Sequence, residues 1–192
     1  MTPTLAAALA NVLNFVIFAM IAIWYVAPWL ASRQRAEALA PLLWVQAFRH
    51  IALQIFSAQQ FGFAVSDGTR DQIAAGDLIG MLLSVAAIGA LRYRWRIAPI
   101  LIWLLVLETA FDLVYTAALG AREQLYASAS GVTWLIVSFY VPLLWVSLGL
   151  IVWQMCSRRA AIEEGDQPHG RKVQYNGWVQ RHLASRCGVR GR

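Results

Sequence analysis

The sequence predicts an all-α fold, a polytopic membrane helix bundle with five transmembrane helices, and three observations lead to this class. Charged residues make up 14% of the 192 residues, whereas soluble domains carry about 25%. The apolar residues are grouped in blocks of about 20, the length that a helix needs to cross the hydrocarbon core of a bilayer. The basic residues lie mostly at the ends of these blocks or beyond the last one.

Five apolar blocks follow one another along the chain, and short polar stretches separate them. They cover approximately residues 5–30, 38–63, 73–91, 97–119 and 132–156. A segment that spans lipid has to satisfy its own backbone hydrogen bonds, so each block is expected to be a helix. We therefore expect a transmembrane five-helix domain at 1–156, followed by a basic and flexible cytoplasmic tail at 157–192.

The basic residues also predict how the helices are oriented. With the N-terminus outside and the C-terminus in the cytoplasm, 13 Lys and Arg residues fall on the cytoplasmic side and two, Arg70 and Arg122, on the outer side. This bias agrees with the positive-inside rule. Trp24, Trp95 and Trp153 lie near block ends, as is typical of side chains at the membrane interface. The sequence therefore predicts a multi-pass protein of a cell inner membrane.

The net charge of +6 does not indicate a nucleic-acid partner, because the basic residues are placed where they set membrane topology. The expected partner is the lipid bilayer, and the basic tail either contacts anionic headgroups or serves topology and solubility alone. A homo-oligomer is left open. Cys156 and Cys187 have no partners at ligand spacing, so the sequence indicates neither a metal site nor a thiol redox motif, and no cofactor.

Ionisable residues occur within the predicted spans, although a charge at the bilayer centre costs about 2.5–3.5 kcal/mol on insertion scales. Such side chains usually face the protein interior or water, and they mark candidate functional sites. With the polar residues that accompany them, they form a candidate ligand or proton site composed of Gln46, Arg49, His50, Gln54, Asp77, Glu108, Asp112 and Tyr140.

The spacing of these residues predicts shared helix faces. Gln46, His50 and Gln54 recur every four residues, which predicts one polar stripe on the second helix, with Arg49 beside it. Residues 108 and 112 are likewise four apart on the fourth helix. At about 1.5 Å of rise per residue, five of the candidate side chains lie between mid-membrane and the outer leaflet: His50, Asp77, Glu108, Asp112 and Tyr140. We expect the bundle to gather them into one layer.

The third helix contains small residues at Gly76, Gly80 and Ser84, a spacing that allows close approach of a neighbouring helix. Asp77 lies next to this ridge of small residues. A helix packed against the ridge is expected to bring its own polar groups close to Asp77.

Charge balance predicts how the site is paired. Arg49 stays protonated in any protein environment, so it is expected to pair with Glu108 or Asp112. One of these two carboxylates is then left short of a partner and is a candidate to hold a proton. His50 is the natural second partner or proton donor.

Four short runs resemble a group of small, uncharacterised five-helix bacterial inner-membrane proteins. The runs are WVQAFRH at 44–50, AGDL at 75–78, TAFDL at 109–113 and VPLL at 141–144. The likeness covers the second to fifth spans. It implies a membrane class for this chain, and it implies no activity.

These observations predict an inner-membrane protein whose polar pocket binds a small amphipathic or lipid-like ligand. Arg49 would anchor an anionic or carbonyl group, and Tyr140 would line the pocket. A proton-coupled transporter or ion pathway subunit, a membrane enzyme on a lipid substrate and a non-catalytic assembly subunit are alternatives. An enzyme is the less favoured class, because no metalloprotease or nucleophile-elbow motif is present. A structural ion-pair network that fixes helix register would explain the same residues.

Overall fold

The computed structural model describes residues 2–129 and 131–165, and within these ranges it contains helices and no strand. Five helices are long and apolar enough to cross a membrane, which confirms the all-helical class and the five predicted spans by length and composition. The spans are Thr4–Ala31, Arg35–Gln60, Asp67–Arg92, Ala98–Arg122 and Gly131–Ser157.

Three of the five spans are built from several helical segments. The first consists of α1 (Pro3–Ile21), a π-helical turn (Ala22–Val26) and α2 (Ala27–Ala31). The second consists of α3 (Arg35–Ala47), a 3-10 segment (Phe48–Leu53) and α4 (Gln54–Gln60). The third and fourth are the single helices α5 (Asp67–Arg92) and α6 (Ala98–Arg122), and the short helix α7 (Leu125–Ser128) follows them. The fifth consists of α8 (Gly131–Leu135), a second π-helical turn (Ile136–Tyr140) and α9 (Val141–Gly165).

By its internal contacts the chain divides into the units Met1–Ser157 and Arg158–Arg192. The first contains all five spans. Residues 166–192, including Cys187, lie outside the described residues, so the predicted flexibility of the tail stays a prediction.

The π-helical turn of the fifth span has a cause in the sequence. Pro142 has no N–H and its ring displaces the carbonyl group four residues earlier, that of Ser138, from the regular helical ladder. The side-chain amide of Asn14 donates to this Ser138 oxygen over 2.9 Å, and Asn11 donates to the oxygen of Val137 over 2.9 Å. These two bonds attach α1 to the fifth span.

The 3-10 segment Phe48–Leu53 changes which side chains of the second span point into the bundle. Its 3.0 residues per turn rotate successive side chains further than the 3.6 of an α-helix. Arg49 is therefore turned into the bundle and buried, as is Gln46, whereas His50 and Gln54 are exposed. Gln46, His50 and Gln54 do not form the single polar stripe that a continuous α-helix would give.

An apolar core fills the end of the bundle where the second and fourth spans begin. Its members come from both of these spans, from the end of the first and from the later parts of the third and fifth: Leu30, Ala38, Leu39, Leu42, Leu43, Ala87, Ile102, Leu105, Val106, Leu148, Ile151 and Met155. The polar candidates follow this core along the second and fourth spans and precede it along the third and fifth. A smaller apolar cluster lies at the opposite end: Ile55, Phe63, Val65, Ile73 and Leu125. The charged side chains thus lie in a layer between two apolar regions.

The loop after α6 is joined to the start of α5. Ser66 caps α5, and its backbone N–H and its hydroxyl donate to the carboxylate of Glu123 over 3.0 and 2.6 Å. Thr69 adds a hydroxyl donor at 2.5 Å. These donors, the Ser66 hydroxyl above all, hold the pKa of the Glu123 carboxyl below its ordinary value.

This lowered pKa predicts a pH-dependent contribution of Glu123 to stability. A carboxyl whose pKa is lower in the folded state stabilises the fold above its unfolded pKa of about 4.3 and loses this effect as pH falls through the folded value. We expect Glu123→Gln to lower the melting temperature in detergent at pH 7. The difference from the wild type should shrink below about pH 4. A difference that is the same at pH 7 and pH 3 would contradict the role assigned to the ionised carboxylate.

Candidate functional site

The site is built around the side chain of Arg49, which is 0% exposed. Its Nε donates to Asp77 Oδ1 over 2.8 Å, and its Nη1 donates to Glu108 Oε2 over 3.0 Å. Its Nη2 forms a charge-assisted hydrogen bond with Asp112. The hydroxyl of Thr109 accepts a further bond from Nη1 over 2.9 Å. One guanidinium therefore joins the second, third and fourth spans.

The acids of this cluster outnumber its bases. Asp77, Glu108 and Asp112 all pair with the same cation, although the sequence led us to expect a pair with Glu108 or Asp112. With all of them ionised, the cluster carries a net negative charge. Among the described residues, no group of three His, Cys, Asp or Glu side chains is arranged to hold a metal ion. The guanidinium occupies the position between the carboxylates where a metal cation would otherwise bind.

Two glycines of the third span provide the room for this cluster. A Cβ added at Gly80 would lie 2.7 Å from Arg49 Cζ and 2.9 Å from Glu108 Oε2. A Cβ added at Gly76 would lie 2.8 Å from Asp112 Cγ. The small-residue ridge therefore accommodates charged side chains of the neighbouring spans, where the sequence had suggested close contact between backbones.

A cavity of about 200 Å³ adjoins the cluster on the side away from the apolar core. Most of its wall is apolar, and its charged wall residues are Asp77 and Asp112. The wall includes residues of all five spans and of α7, among them Asn11, Ile55, Ile73, Leu113, Thr116, Ala117, Tyr126, Ile136, Tyr140 and Trp145. Asp77 and Asp112 therefore belong both to the ion-pair cluster and to the polar end of this cavity.

Gln46 and Tyr140 lie beside the cluster and connect the second and fifth spans. Gln46 is buried, and its amide nitrogen donates to Ser147 Oγ over 2.8 Å and to the oxygen of Leu144 over 3.3 Å. The phenol of Tyr140 donates to the backbone oxygen of Val45 over 2.9 Å. Both side chains fix the position of the fifth span, which forms one wall of the cavity.

His50 and Gln54 are not brought to the cluster. His50 is exposed, and its Nδ1 lies 3.2 Å from the oxygen of Ala47, one turn earlier on its own span. Gln54 is also exposed and does not line the cavity. This geometry leaves no direct route by which His50 would serve as second partner or proton donor to the carboxylates.

Three site residues were not singled out from the sequence. Thr109 is fully buried between Arg49 and Glu108, and the Thr116 hydroxyl bonds to Asp112. Their positions at 109 and 116, on the helix face of residue 112, are the signal that would have found them. Asn11 reaches the cavity from the first span, and no spacing pattern in the sequence predicts that position.

The chain matches one family model over residues 6–156, and its description is domain of unknown function (DUF8737). The match includes every residue of the cluster. No curated protein and no solved structure matches the chain.

A methyl group at Gly80 should destabilise the fold, because it would overlap the buried Arg49 guanidinium and Glu108 carboxylate. Overpacking typically costs about 1–3 kcal/mol, so Gly80→Ala should lower the melting temperature in detergent. Gly89→Ala is the matched control on the same helix, since a Cβ at Gly89 meets nothing within 4 Å. The control should be neutral or stabilising by up to about 1 kcal/mol, because alanine favours helix. Equal melting temperatures for the two variants would contradict the close packing at Gly80.

Loss of the Arg49 charge should be far more harmful than loss of an arginine that pairs with exposed carboxylates. Arg49→Met leaves three partly buried carboxylates without their counter-ion, and breaking a buried pair costs about 3–5 kcal/mol. Arg70 pairs with the exposed Asp67 and Asp71. Arg70→Met is therefore the control, with an expected cost of about 0–1 kcal/mol. Folded yield and unfolding in detergent measure both, and a well-folded Arg49→Met protein of unchanged stability would rule out the structural role.

Proposed function

The chain belongs to this family of unknown function, and we propose from the site that it is a membrane protein that binds a small amphipathic ligand within the bundle. The apolar body of the ligand occupies the cavity, and its polar end meets Asp77 and Asp112. The observation that carries the proposal is a space of about 200 Å³ directly beside a buried ionic cluster.

The volume of the cavity limits the size of the ligand. An engineered apolar cavity of about 150 Å³ binds benzene, and drug-sized ligands use pockets of about 300–1,000 Å³. A cavity of about 200 Å³ therefore suits one aromatic ring, or a short alkyl chain, with a polar group attached. Apolar walls that converge on a few polar groups are the usual composition of a ligand site.

In this proposal, Arg49 positions the site and does not touch the ligand. The sequence suggested that it would anchor an anionic or carbonyl group, but its side chain is 0% exposed. Asp77 and Asp112, each with a side chain that is 13% exposed, take over the anchoring role. Arg49 keeps their carboxylates pointed towards the cavity.

We further propose that the cavity lies in the outer half of an inner membrane. Its wall includes α7 and residues next to the loop at 61–66, and both lie on the outer side in the predicted topology. The strong excess of Lys and Arg in the other loops and in the tail supports this orientation. Contact of the tail with anionic lipid and assembly into a homo-oligomer belong to the same proposal.

A proton-coupled transporter is the second candidate, and the excess of carboxylates over Arg49 favours it. A transport path would have to continue through the other end of the bundle. There, Leu43, Leu105 and Ile151 are 0% exposed and belong to one apolar core. This packing favours a binding site that ends at the charged layer over a path that crosses the bundle.

A bulky side chain on the cavity wall should block ligand binding. Benzyl alcohol is a suitable neutral probe, because it consists of one aromatic ring with a single polar group attached. Ala117 and its neighbour Ala118 are both exposed, but Ala117 lines the cavity and Ala118 does not. We expect Ala117→Phe to weaken benzyl alcohol binding at least about tenfold, a change of about 1.4 kcal/mol, and Ala118→Phe to leave it unchanged.

Binding is measured on the full chain in nonionic detergent, with empty micelles as the blank. Native mass spectrometry of the same preparation would reveal a co-purified small molecule. Binding by the wild type that does not exceed the micelle blank would overturn the proposed function. Equal loss in the two phenylalanine variants would show that the probe binds elsewhere.

A further inference from the structure

We propose that the polar end of the ligand is a protonated amine, so that the cavity selects small cationic amphiphiles over neutral and anionic analogues. The inference rests on the proposed function and names its ligand class. It reverses the expectation that an anionic group is bound. Three features of the site support it: the negative charge of the cavity wall, the hydrogen bonds that nearby donors already make within the protein, and the excess of carboxylates over Arg49 in the cluster.

The charged wall of the cavity is negative. Of the described residues that line it, the charged ones are Asp77 and Asp112, which approach from the third and fourth spans. Arg49 lies behind them and is fully buried, so its positive charge is screened from the cavity by its own partners. Tyr126 adds no anion, because burial raises the pKa of its phenol and keeps it neutral.

Three side chains near the acidic end already donate hydrogen bonds within the protein. Arg49 donates to three carboxylates and to Thr109. The phenol of Tyr140 donates to a backbone oxygen at 2.9 Å, and the amide of Asn11 does the same over 2.9 Å. The carboxylate oxygens of Asp77 and Asp112 are the charged acceptors at this end of the cavity, so the complementary ligand group is a hydrogen-bond donor.

Charge balance then favours a donor that is also a cation. Three carboxylates pair with a single guanidinium, and they lie in a membrane-spanning bundle where unbalanced charge is costly. An ammonium group between Asp77 and Asp112 would offset this excess and form charge-assisted hydrogen bonds. Such bonds contribute enough to raise affinity about ten- to hundredfold over a neutral donor.

The test compares three probes of similar size that differ in charge: benzylamine, benzyl alcohol and benzoate. Their binding to the full chain is measured in nonionic detergent at pH 7 by titration calorimetry, with empty micelles as the blank. We expect benzylamine to bind at least about tenfold more tightly than benzyl alcohol. Benzoate should bind most weakly, because the carboxylates repel it.

Two variants separate the cavity wall from the cluster as a whole. Asp112→Asn and Glu108→Gln each remove one carboxylate partner of Arg49, but Asp112 lines the cavity and Glu108 does not. Asp112→Asn should lower the ratio of benzylamine to benzyl alcohol affinity at least about tenfold, because the ammonium group loses one of its two carboxylate partners. Glu108→Gln should retain the preference. Asp77→Asn is the second cavity variant if Asp112→Asn folds poorly.

The outcomes distinguish this inference from the proposed function. If benzylamine and benzyl alcohol bind equally well, protons already balance the carboxylates; the inference is overturned and the proposed function stands. If Glu108→Gln lowers the preference as much as Asp112→Asn, the assignment to the cavity wall is overturned. If none of the three probes binds above the micelle blank, both the inference and the proposed function fail.

Discussion

The guanidinium of Arg49 constrains how the helices of the bundle pack, because it keeps its charge in any protein environment and is fully removed from solvent. A buried cation of this kind requires partners with good geometry. The third span supplies Asp77 and the glycine space in which the cation fits, and the fourth supplies Glu108 and Asp112. The relative rotation and depth of three spans therefore follow from one side chain.

The sequence was sufficient for the parts of this arrangement that depend on composition and burial. Lipid-length apolar blocks predicted the spans to within about three residues, except that the third begins six residues earlier than expected. Charges inside the spans had to meet one another, which brought Arg49 together with its acids. The faces of the second span were harder. A continuous α-helix would have placed Gln46 and His50 together, but the 3-10 segment rotates His50 away, and no proline or glycine within residues 48–53 signals that change.

The sequence predicted a polar pocket, but the size and the wall of the cavity could not be predicted, for a different physical reason. Its volume is what remains after side chains from five spans and a short helix have packed, and small errors in helix position would close it. Its contact with the carboxylates depends on the glycines that let Asp112 approach the third span. The sequence identified Gly76 and Gly80 as a ridge for backbone contact, because spacing alone does not show whether the neighbour contributes backbone or a side chain.

The bond between Asn14 and the backbone oxygen of Ser138 has a consequence for how this chain can change. That oxygen accepts a bond from another span because Pro142 cannot bond to it. A residue with an N–H at position 142 would compete for the acceptor and leave the Asn14 amide without its partner, whereas an apolar residue at position 14 would leave the Ser138 carbonyl without a donor. Neither substitution is neutral alone, so homologous sequences should exchange the two residues as a pair.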